Sequence, residues 1–464
     1  MAKPLRICIV LEGSYPFITG GVSAWVHDLI SNLTEIDFVL YTISPEKDMP
    51  LRYTLPENVR EHVDIALSDA RKPGKGPRTK KSLFKQLKTF HQSIALGNTP
   101  NFESVINHIP EGYYLYHDAV TSNTGWELLS SANQRKNPLY PFVDYFWAWK
   151  SAHDMMFTIL GAKAPEADIY HSVSTGFAGL AALAAKKRKR KPFLLTEHGL
   201  YHKEREMEIR KSDMIKGHQR DMWIGIYNNL SRIGYRNADY ITALFEENRQ
   251  KQLEQGAPED KTEVIPNGID ITRYDVEREL KEGFHVGLVG RVVPIKDIKT
   301  FILTAKIVLD AIPEARFYCI GPTDEDEAYY DDCVTLVKSL RIEDRFEFTG
   351  RANVLDYYKF LNVMMLTSVR EAQPLVILEA YTSGIPFVST RVGNVAEMLD
   401  YDDRFIASSK DAEKLASGVI FIHENPDIMK QLCQGYRNKV RSLYDINQLH
   451  ARFNKLYTEI KERG

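Results

Sequence analysis

The sequence predicts an α/β protein built from two doubly wound, parallel-sheet domains. The chain has 464 residues, more than one hydrophobic core usually organises, so we expect two domains of roughly 200 residues each. Each half opens with an apolar strand that runs into a glycine loop, at 6–11 and at 284–290. Helical and strand patterns then alternate, which is typical of βαβ units and a parallel sheet.

Composition and charge exclude several classes of protein and of binding partner. Apolar residues make up 44% and charged residues 26% of the chain, with a net charge of −2, so the protein is globular and no nucleic-acid partner is expected. Four cysteines are scattered without a C-x-x-C pair. Reduced, buried thiols and a cytoplasmic location fit this pattern.

From the sequence we expect neither a signal peptide nor a transmembrane segment. The first apolar run is shorter than the ~7 to 15 residues of a signal sequence. The apolar stretch 176–185 is too short to cross a bilayer, which takes ~20 residues. It ends in KKRKRK at 186–191. We expect this basic run to be a solvated helix end, with contact to anionic lipid or a membrane partner as the alternative.

The predicted first domain covers 1–280, and an insert at about 50–165 interrupts its alternation. A basic Gly/Pro stretch at 71–81 predicts an exposed loop, and 140–160 predicts an aromatic helix. Aromatic residues of the insert pack an added helical layer or, alternatively, form a stacking platform for a polysaccharide. They are Trp126, Tyr145, Trp147 and Trp149.

The second domain is predicted over 281–445, with strands beginning at 284, 315, 346, 363 and 386. The helix predicted at 446–464 has no sheet position of its own. We expect a cleft between the two domains, where doubly wound proteins usually bind ligands.

Basic and acidic residues follow successive strands of the second domain. Arg291 and Lys296 come after the first strand, and a planar guanidinium with a compact ammonium suits diphosphate oxygens. Glu371 precedes a helix and Glu379 lies in its second turn, where carboxylates accept from vicinal hydroxyls. Backbone N–H groups near the start of that helix would face sugar or phosphate; they belong to Ala372, Gln373 and Leu375.

The order of these motifs resembles the retaining GT-B glycosyltransferases of family 4. The motifs are NGID at 267–270, G-R-x4-K-D at 290–297, F-x-G at 348–350 and E-x7-E at 371–379. The resemblance covers about 1–45 and 165–464. It implies a GT-B fold, in which two Rossmann-like domains face each other across a cleft and the terminal helix completes the first domain.

The resemblance also assigns roles. It implies that Arg291 and Lys296 contact the donor diphosphate, that Glu379 holds the ribose and that Glu371 holds the transferred sugar. The nucleobase would meet Arg351, largely through its backbone. Gly20 and Gly21 would approach the diphosphate through backbone N–H groups, and His198 would contact the sugar or assist proton transfer.

No metal or other cofactor is expected. Two D-x-D strings, at 324–326 and 400–402, lie in acidic stretches that we interpret as solvated loops rather than metal ligands.

The strings EGSYP at 12–16, GGVSAW at 20–25 and TEHGLYHKERE at 196–206 resemble the PelF-type subgroup of Pel exopolysaccharide synthesis. This resemblance implies a UDP-sugar donor, a growing polysaccharide acceptor and a membrane-bound synthase complex as partner. A family 4 enzyme of another pathway, a sugar-nucleotide epimerase and a non-catalytic GT-B scaffold are the alternatives.

Overall fold

The computed structural model describes residues 4–69, 80–95, 101–113, 122–133, 141–212, 215 and 217–463. The chain divides into two compact units. The first comprises Met1–Ile265 and Arg452–Gly464, and the second comprises Pro266–Ala451. The loop predicted at 71–81 lies outside the described residues, apart from its last two.

The first unit contains a parallel sheet with strand order β3-β2-β1-β4-β5-β6-β7 among the described residues. Its central strand β1 is buried along almost its whole length, as expected for a sheet covered on both faces. The strands are β1 Arg6–Glu12, β2 Asp37–Ser44, β3 Val59–Ala66, β4 Ile169–Ser172, β5 Phe193–Glu197, β6 Tyr240–Ala243 and β7 Thr262–Val264.

Helices connect these strands and extend into the insert. They are α1 Gly21–Asn32, α2 Lys80–Ala95, α3 Phe102–Ile106, α4 Asn123–Asn133, α5 Phe142–Gly161, α6 Phe177–Lys189, α7 Tyr201–Lys211, α8 Gly217–Asn237 and α9 Glu246–Glu254.

Strand β3 corrects the predicted extent of the insert, which was placed at about 50–165. β3 pairs in parallel with β2 and forms the edge of the sheet. Its sequence VREHVDIA is rich in charge, and most of its residues are partly or fully exposed. An edge strand of this kind does not produce the continuous apolar run that identified the central strands.

The aromatic insert divides into buried and exposed residues. Tyr145 and Trp149 on α5 are buried and belong to the hydrophobic core of the first unit. Trp126 and Trp147 are 52% and 53% exposed. The packing interpretation therefore holds for one pair, and the other pair lies on the surface.

Residues 186–189 of the basic run are engaged in contacts within the protein, whereas Arg190 is exposed at the helix end. The Arg188 guanidinium donates hydrogen bonds to the backbone carbonyls of Ile109, Leu160 and Ala162. Lys186 pairs with Asp239 at 2.6 Å. Further ion pairs join Lys187 to Glu103, and Lys189 to Glu111 and Glu166. The run therefore attaches the insert to the sheet.

The second unit contains a parallel sheet with strand order β10-β9-β8-β11-β12-β13 among the described residues. Its strands are β8 Phe284–Val289, β9 Ala315–Ile320, β10 Phe346–Gly350, β11 Val363–Leu366, β12 Phe387–Thr390 and β13 Ile406–Ala407. Its helices are α10 Ile271–Tyr274, α11 Ile298–Ala311, α12 Glu327–Ser339, α13 Val354–Tyr358, α14 Leu375–Thr382, α15 Val395–Met398, α16 Ala412–Glu424 and α17 Pro426–Leu443, and α18 Ile446–Arg463 follows.

The direction of strand order reverses at β8 in the second unit, between its neighbours β9 and β11. In open parallel sheets, ligands bind outside the carboxyl ends of the strands at such a switch point. The loops that follow β8 and β11 are therefore where the fold favours a site.

The domain boundary lies earlier than the predicted residue 280. Residues from 266 onward pack with the second unit: the Asn267 N–H donates to Gln373 Oε1 at 2.9 Å, and Arg278 donates to the backbone carbonyls of Tyr358 and Leu361. The terminal helix is also divided, because its residues up to Ala451 group with the second unit. Side-chain contacts of this kind leave no periodic pattern in the sequence.

No helix in the described part of the chain is long and apolar enough to cross a membrane.

We predict that Arg188→Met destabilises the first unit by about 2 to 4 kcal/mol, because it leaves carbonyl groups of the insert buried without a donor. All five tryptophans, at 25, 126, 147, 149 and 223, lie in the first unit. Urea unfolding followed by tryptophan fluorescence therefore measures this unit selectively.

Arg190→Met is the matched control, because Arg190 is exposed and the substitution keeps the Cβ atom at its left-handed φ of 54°. Equal unfolding midpoints for Arg188→Met and Arg190→Met would show that the insert does not depend on the Arg188 guanidinium.

Candidate functional site

The sequence-predicted charged residues of the second unit follow neighbouring strands of one sheet edge. The sheet order places the loop after β10 first, then those after β9, β8 and β11. These loops carry, in that order, Arg351; Asp324 and Glu325; Arg291 and Lys296; and Glu371.

The loop that carries Lys296 is tied to the loop after β11. Lys296 ends a one-turn 3-10 helix, Pro294–Lys296. The Thr367 hydroxyl donates to the Lys296 carbonyl at 2.8 Å, and the Val369 N–H donates to the Ile295 carbonyl at 2.9 Å. These bonds fix the backbone of Lys296 against the loop that leads to Glu371.

Lys296 and Glu371 form an ion pair at the switch point. Lys296 Nζ lies 2.5 Å from Glu371 Oε1, and each side chain is 19% exposed. The hydroxyl of buried Ser368 donates to the same carboxylate oxygen at 2.9 Å. A pair so largely shielded from water is screened less than a surface pair. Its ammonium group is fixed at a strand end, where an anion could replace the carboxylate.

A glycine seats the loop that contains Glu371 and Ala372. Gly393 has a φ of 50°, and a Cβ at this position would lie 1.9 Å from the Ala372 carbonyl oxygen. The Asn394 N–H donates to that carbonyl at 3.1 Å. Close backbone contact therefore fixes this loop, and Gln373 braces it against Asn267.

Glu379 lies in the second turn of α14, as predicted. Tyr358 OH donates to Glu379 Oε2 at 2.6 Å, and Tyr274 also hydrogen-bonds the carboxylate. Burial is the largest influence and raises the pKa of Glu379, although both hydrogen bonds act in the opposite direction. The sequence analysis missed both tyrosines. Tyr274 lies four residues after the end of the NGID motif, and this short spacing is the feature of the sequence that could have identified it.

Arg291 and Arg351 are not joined to the Lys296–Glu371 pair in this structure. Arg291 pairs with Glu325 at 2.7 Å, and Arg351 pairs with Asp324 at 3.3 Å. Exposed pairs of this kind contribute little to stability, so both guanidinium groups can exchange partners at small cost.

The aspartates of the two D-x-D strings make contacts within the protein. Asp324 pairs with Arg351, and Asp326 accepts a hydrogen bond from the Tyr329 N–H at the start of α12. Asp400 pairs with Lys439, and Asp402 pairs with Arg404. The described residues contain no group of three or more His, Cys, Asp or Glu side chains placed to hold a metal.

In the first unit, Gly20 and Gly21 form the start of α1. A Cβ added to either glycine would meet no heavy atom within 4 Å. Packing within the chain therefore does not require glycine at these positions. The backbone N–H groups at the start of a helix are also a favourable place for an anion.

His198 directly follows β5, at the carboxyl edge of the first sheet. Burial lowers its pKa to about 4, so the imidazole is neutral near pH 7. The indole of Trp25 contacts it, with ring centroids 4.5 Å apart. Among the predicted backbone donors of the second unit, Ala372 and Gln373 lie in the loop before α14, and Leu375 is the first residue of that helix.

Glu197, which adjoins His198, is a buried structural carboxylate. It accepts hydrogen bonds from Tyr235 OH at 2.6 Å, from Gln252 Nε2 at 3.0 Å and from the Tyr201 N–H at 3.1 Å. Glu12, which sequence reasoning missed, likewise accepts from Tyr201 OH at 2.8 Å and from the N–H groups at the start of α6. Both carboxylates hold loops of the site edge in place.

Two family descriptions match successive parts of the chain. Residues 5–260 match "Domain of unknown function (DUF3492)", and residues 283–425 match "Glycosyl transferases group 1". The first match covers more than half of the chain, and the second covers the sheet that carries Lys296, Glu371 and Glu379.

Curated relatives are also similar in sequence. N-acetyl-alpha-D-glucosaminyl L-malate synthase of Bacillus anthracis is 25% identical over 247 residues, 50% of this chain and 63% of the relative. UDP-Gal:alpha-D-GlcNAc-diphosphoundecaprenol alpha-1,3-galactosyltransferase of Escherichia coli is 24% identical over 217 residues, 43% of this chain and 54% of the relative. The chain thus spans less than two thirds of either relative.

Solved structures confirm the predicted fold class. Sucrose-phosphate synthase from Thermosynechococcus elongatus has a TM-score of 0.61 at 17% identity, covering 99% of this chain and 100% of that chain. Anabaena HepE, solved with UDP and glucose, has a TM-score of 0.59 at 14% identity over 98% and 100%. The chain therefore belongs to the DUF3492 family and has the GT-B fold, and residues 283–425 of its second unit match the group 1 glycosyl transferases.

Proposed function

We propose that this protein is a retaining glycosyltransferase that moves a hexose or N-acetylhexosamine from a UDP-sugar to a growing exopolysaccharide of the Pel type, without a metal. The Lys296–Glu371 pair at the switch point of the second sheet carries the proposal. It places one fixed cation and one fixed carboxylate where a sugar–diphosphate would need both.

The reaction determines what the cation does. Cleavage of the sugar–diphosphate bond increases negative charge on the leaving diphosphate, and fixed cations stabilise that charge. Lys296 supplies one ammonium, and Arg291 can exchange its exposed pair with Glu325 for a phosphate oxygen at small cost. The nucleobase would lie beside the backbone of Arg351. No bound metal is needed if these groups neutralise the diphosphate.

Two carboxylates suit the two hydroxylated parts of the donor. Glu379, held by Tyr358 and Tyr274, would accept from the ribose hydroxyls. Glu371 would accept from the transferred sugar once Lys296 turns to the diphosphate. Because the incoming phosphate competes for the ammonium, donor binding releases the carboxylate at the moment the sugar arrives.

The comparisons favour a UDP-sugar over other donors. The name of the Escherichia coli relative contains UDP-Gal, and HepE was solved with UDP and with UDP-glucose. We extend this donor class to the present chain as part of the proposal. We propose that Gly20 and Gly21 contact the diphosphate through backbone N–H groups, and that His198 contacts a sugar.

The acceptor and the surroundings rest on the resemblance to the PelF-type subgroup, carried by the strings at 12–16, 20–25 and 196–206. A cytoplasmic enzyme that works beside a membrane-bound synthase complex fits that resemblance. A family 4 transferase of another glycan pathway is the second candidate, since Lys296, Glu371 and Glu379 would serve it equally. Acceptor assays with different glycans separate the two.

We predict that UDP raises the melting temperature of the wild-type protein, since a ligand that binds only the folded state stabilises it. Lys296→Met should weaken UDP binding at least tenfold and abolish sugar transfer, because the fixed cation is lost. Isothermal titration calorimetry and a transfer assay over a panel of UDP-sugars measure both effects.

Lys299→Met is the matched control, because Lys299 lies three residues away and its ammonium makes surface contacts with Asp332 and the Tyr329 ring. The site is wrong if EDTA abolishes wild-type activity while Lys296→Met remains active. A non-catalytic scaffold would show no UDP-dependent stabilisation at all.

Gly21→Ala should leave the melting temperature unchanged and lower kcat/KM for the donor at least tenfold. The added methyl group meets no atom of the chain, but it would lie where the diphosphate approaches the backbone. Gly435→Ala, at an exposed position of α17 with similarly open surroundings, controls for the general effect of the substitution. Wild-type kinetics in Gly21→Ala would remove this glycine from the donor site.

A further inference from the structure

The rings of Trp25 and His198 touch at the carboxyl edge of the first sheet. The Trp25 indole and the His198 imidazole pack edge to face, at 4.5 Å and 69°. In the part of the chain that the structure describes, neither Trp25 Nε1 nor His198 Nε2 has a hydrogen-bond partner. Buried polar groups are nearly always paired, so two unpaired atoms on adjoining rings require an explanation.

The described neighbours of these rings do not supply the missing hydrogen bonds. Phe453 on α18 packs against Trp25 at 5.2 Å and offers only an apolar ring. His171 lies 6.2 Å from Trp25, and both of its ring nitrogens are already engaged. Its Nδ1 bonds Tyr457 OH at 2.7 Å, and its Nε2 bonds Thr196 Oγ1 at 2.8 Å.

The chemistry of the two atoms specifies the missing partner. An indole N–H only donates a hydrogen bond. Burial lowers the pKa of His198 to about 4, so its imidazole is neutral, and in the tautomer protonated at Nδ1 its Nε2 accepts. A donor and an acceptor held together match a hydroxyl group, which accepts one hydrogen bond and donates another. A phosphate or a carboxylate could satisfy only the donor.

We propose that Trp25 is a specificity-determining residue, and that its indole N–H and His198 Nε2 together bind one hydroxyl group of a sugar. The inference rests on the proposed glycosyl transfer and identifies a contact on the first unit. The hydroxyl belongs either to the transferred sugar or to the acceptor. The chemistry is the same in both cases, and deoxy analogues of each substrate separate them.

Trp25→Phe tests the proposal, because it keeps an aromatic ring against His198 and Phe453 but removes the N–H group. We expect kcat/KM to fall about tenfold, the size of effect that follows from losing one hydrogen bond to substrate. The variant should keep the wild-type affinity for UDP, because UDP carries neither the transferred sugar nor the acceptor. Trp126→Phe, on the exposed surface of the insert, is the matched control.

Monodeoxy analogues make the test specific. The wild-type enzyme should lose at least tenfold in kcat/KM on one analogue relative to the full substrate. On that analogue, Trp25→Phe and His198→Ala should have the same kcat/KM as the wild-type enzyme, because the hydroxyl that both residues contact is absent. A donor analogue with this behaviour assigns the hydroxyl to the transferred sugar, and an acceptor analogue assigns it to the acceptor. Calorimetric binding of the donor analogues gives the same comparison without turnover.

The proposal fails if Trp25→Phe keeps wild-type kcat/KM, or if its loss is the same on every analogue, as a packing role would produce. If Trp25→Phe does not fold, the same analogues are tested with His198→Ala. A loss in kcat/KM, relative to wild type, that is equal on every analogue would then overturn the proposal as well. Absence of UDP binding by the wild-type protein would instead count against the proposed function.

Discussion

The ion pair between Lys296 and Glu371 is the interaction on which the organisation of the second unit's site depends. It joins the loops that follow β8 and β11, the two strands on either side of the switch point. Ser368 holds the carboxylate, while Thr367 and the Val369 N–H hold the backbone around Lys296. The pair thus keeps an ammonium and a carboxylate within reach of each other before any ligand is present, which reduces the ordering cost of binding.

The carboxyl edges of the two sheets carry different kinds of functional groups. In the second unit, charged side chains at the carboxyl edge remain partly accessible and are held by short hydrogen bonds. In the first unit, Glu197 is buried and Glu12 is partly buried, and both carboxylates accept hydrogen bonds from tyrosine hydroxyls and backbone N–H groups, so they shape loops. The same edge carries two neutral groups, His198 and the indole of Trp25, together with the helix start at Gly21, whose backbone N–H groups favour an anion. Neutral groups suit sugar hydroxyls, whereas cations and helix starts suit a diphosphate.

Much of this organisation could be predicted from the sequence. The buried central strands form continuous apolar runs, so the two sheets and their order of elements followed from pattern alone. The motif order also placed Lys296 and Glu371 at strand ends. The edge strand β3 escaped prediction because its charged residues face solvent. The role of Arg188 escaped prediction because a partly buried guanidinium that donates to three carbonyls looks the same in the sequence as a surface charge. The positions of Tyr274 and Tyr358 around Glu379 depend on tertiary contacts between separate helices.

The most direct test of the account is the affinity of UDP for Glu371→Gln, measured by isothermal titration calorimetry beside the wild-type protein. In the free protein the carboxylate occupies Lys296, so removing its charge frees the ammonium and removes a repulsion from the diphosphate. The account predicts that Glu371→Gln binds UDP several-fold more tightly than wild type, yet gains little or no further affinity from the sugar of a UDP-sugar. Unchanged or weaker UDP binding in Glu371→Gln would contradict the claim that the diphosphate takes the place of this carboxylate on Lys296.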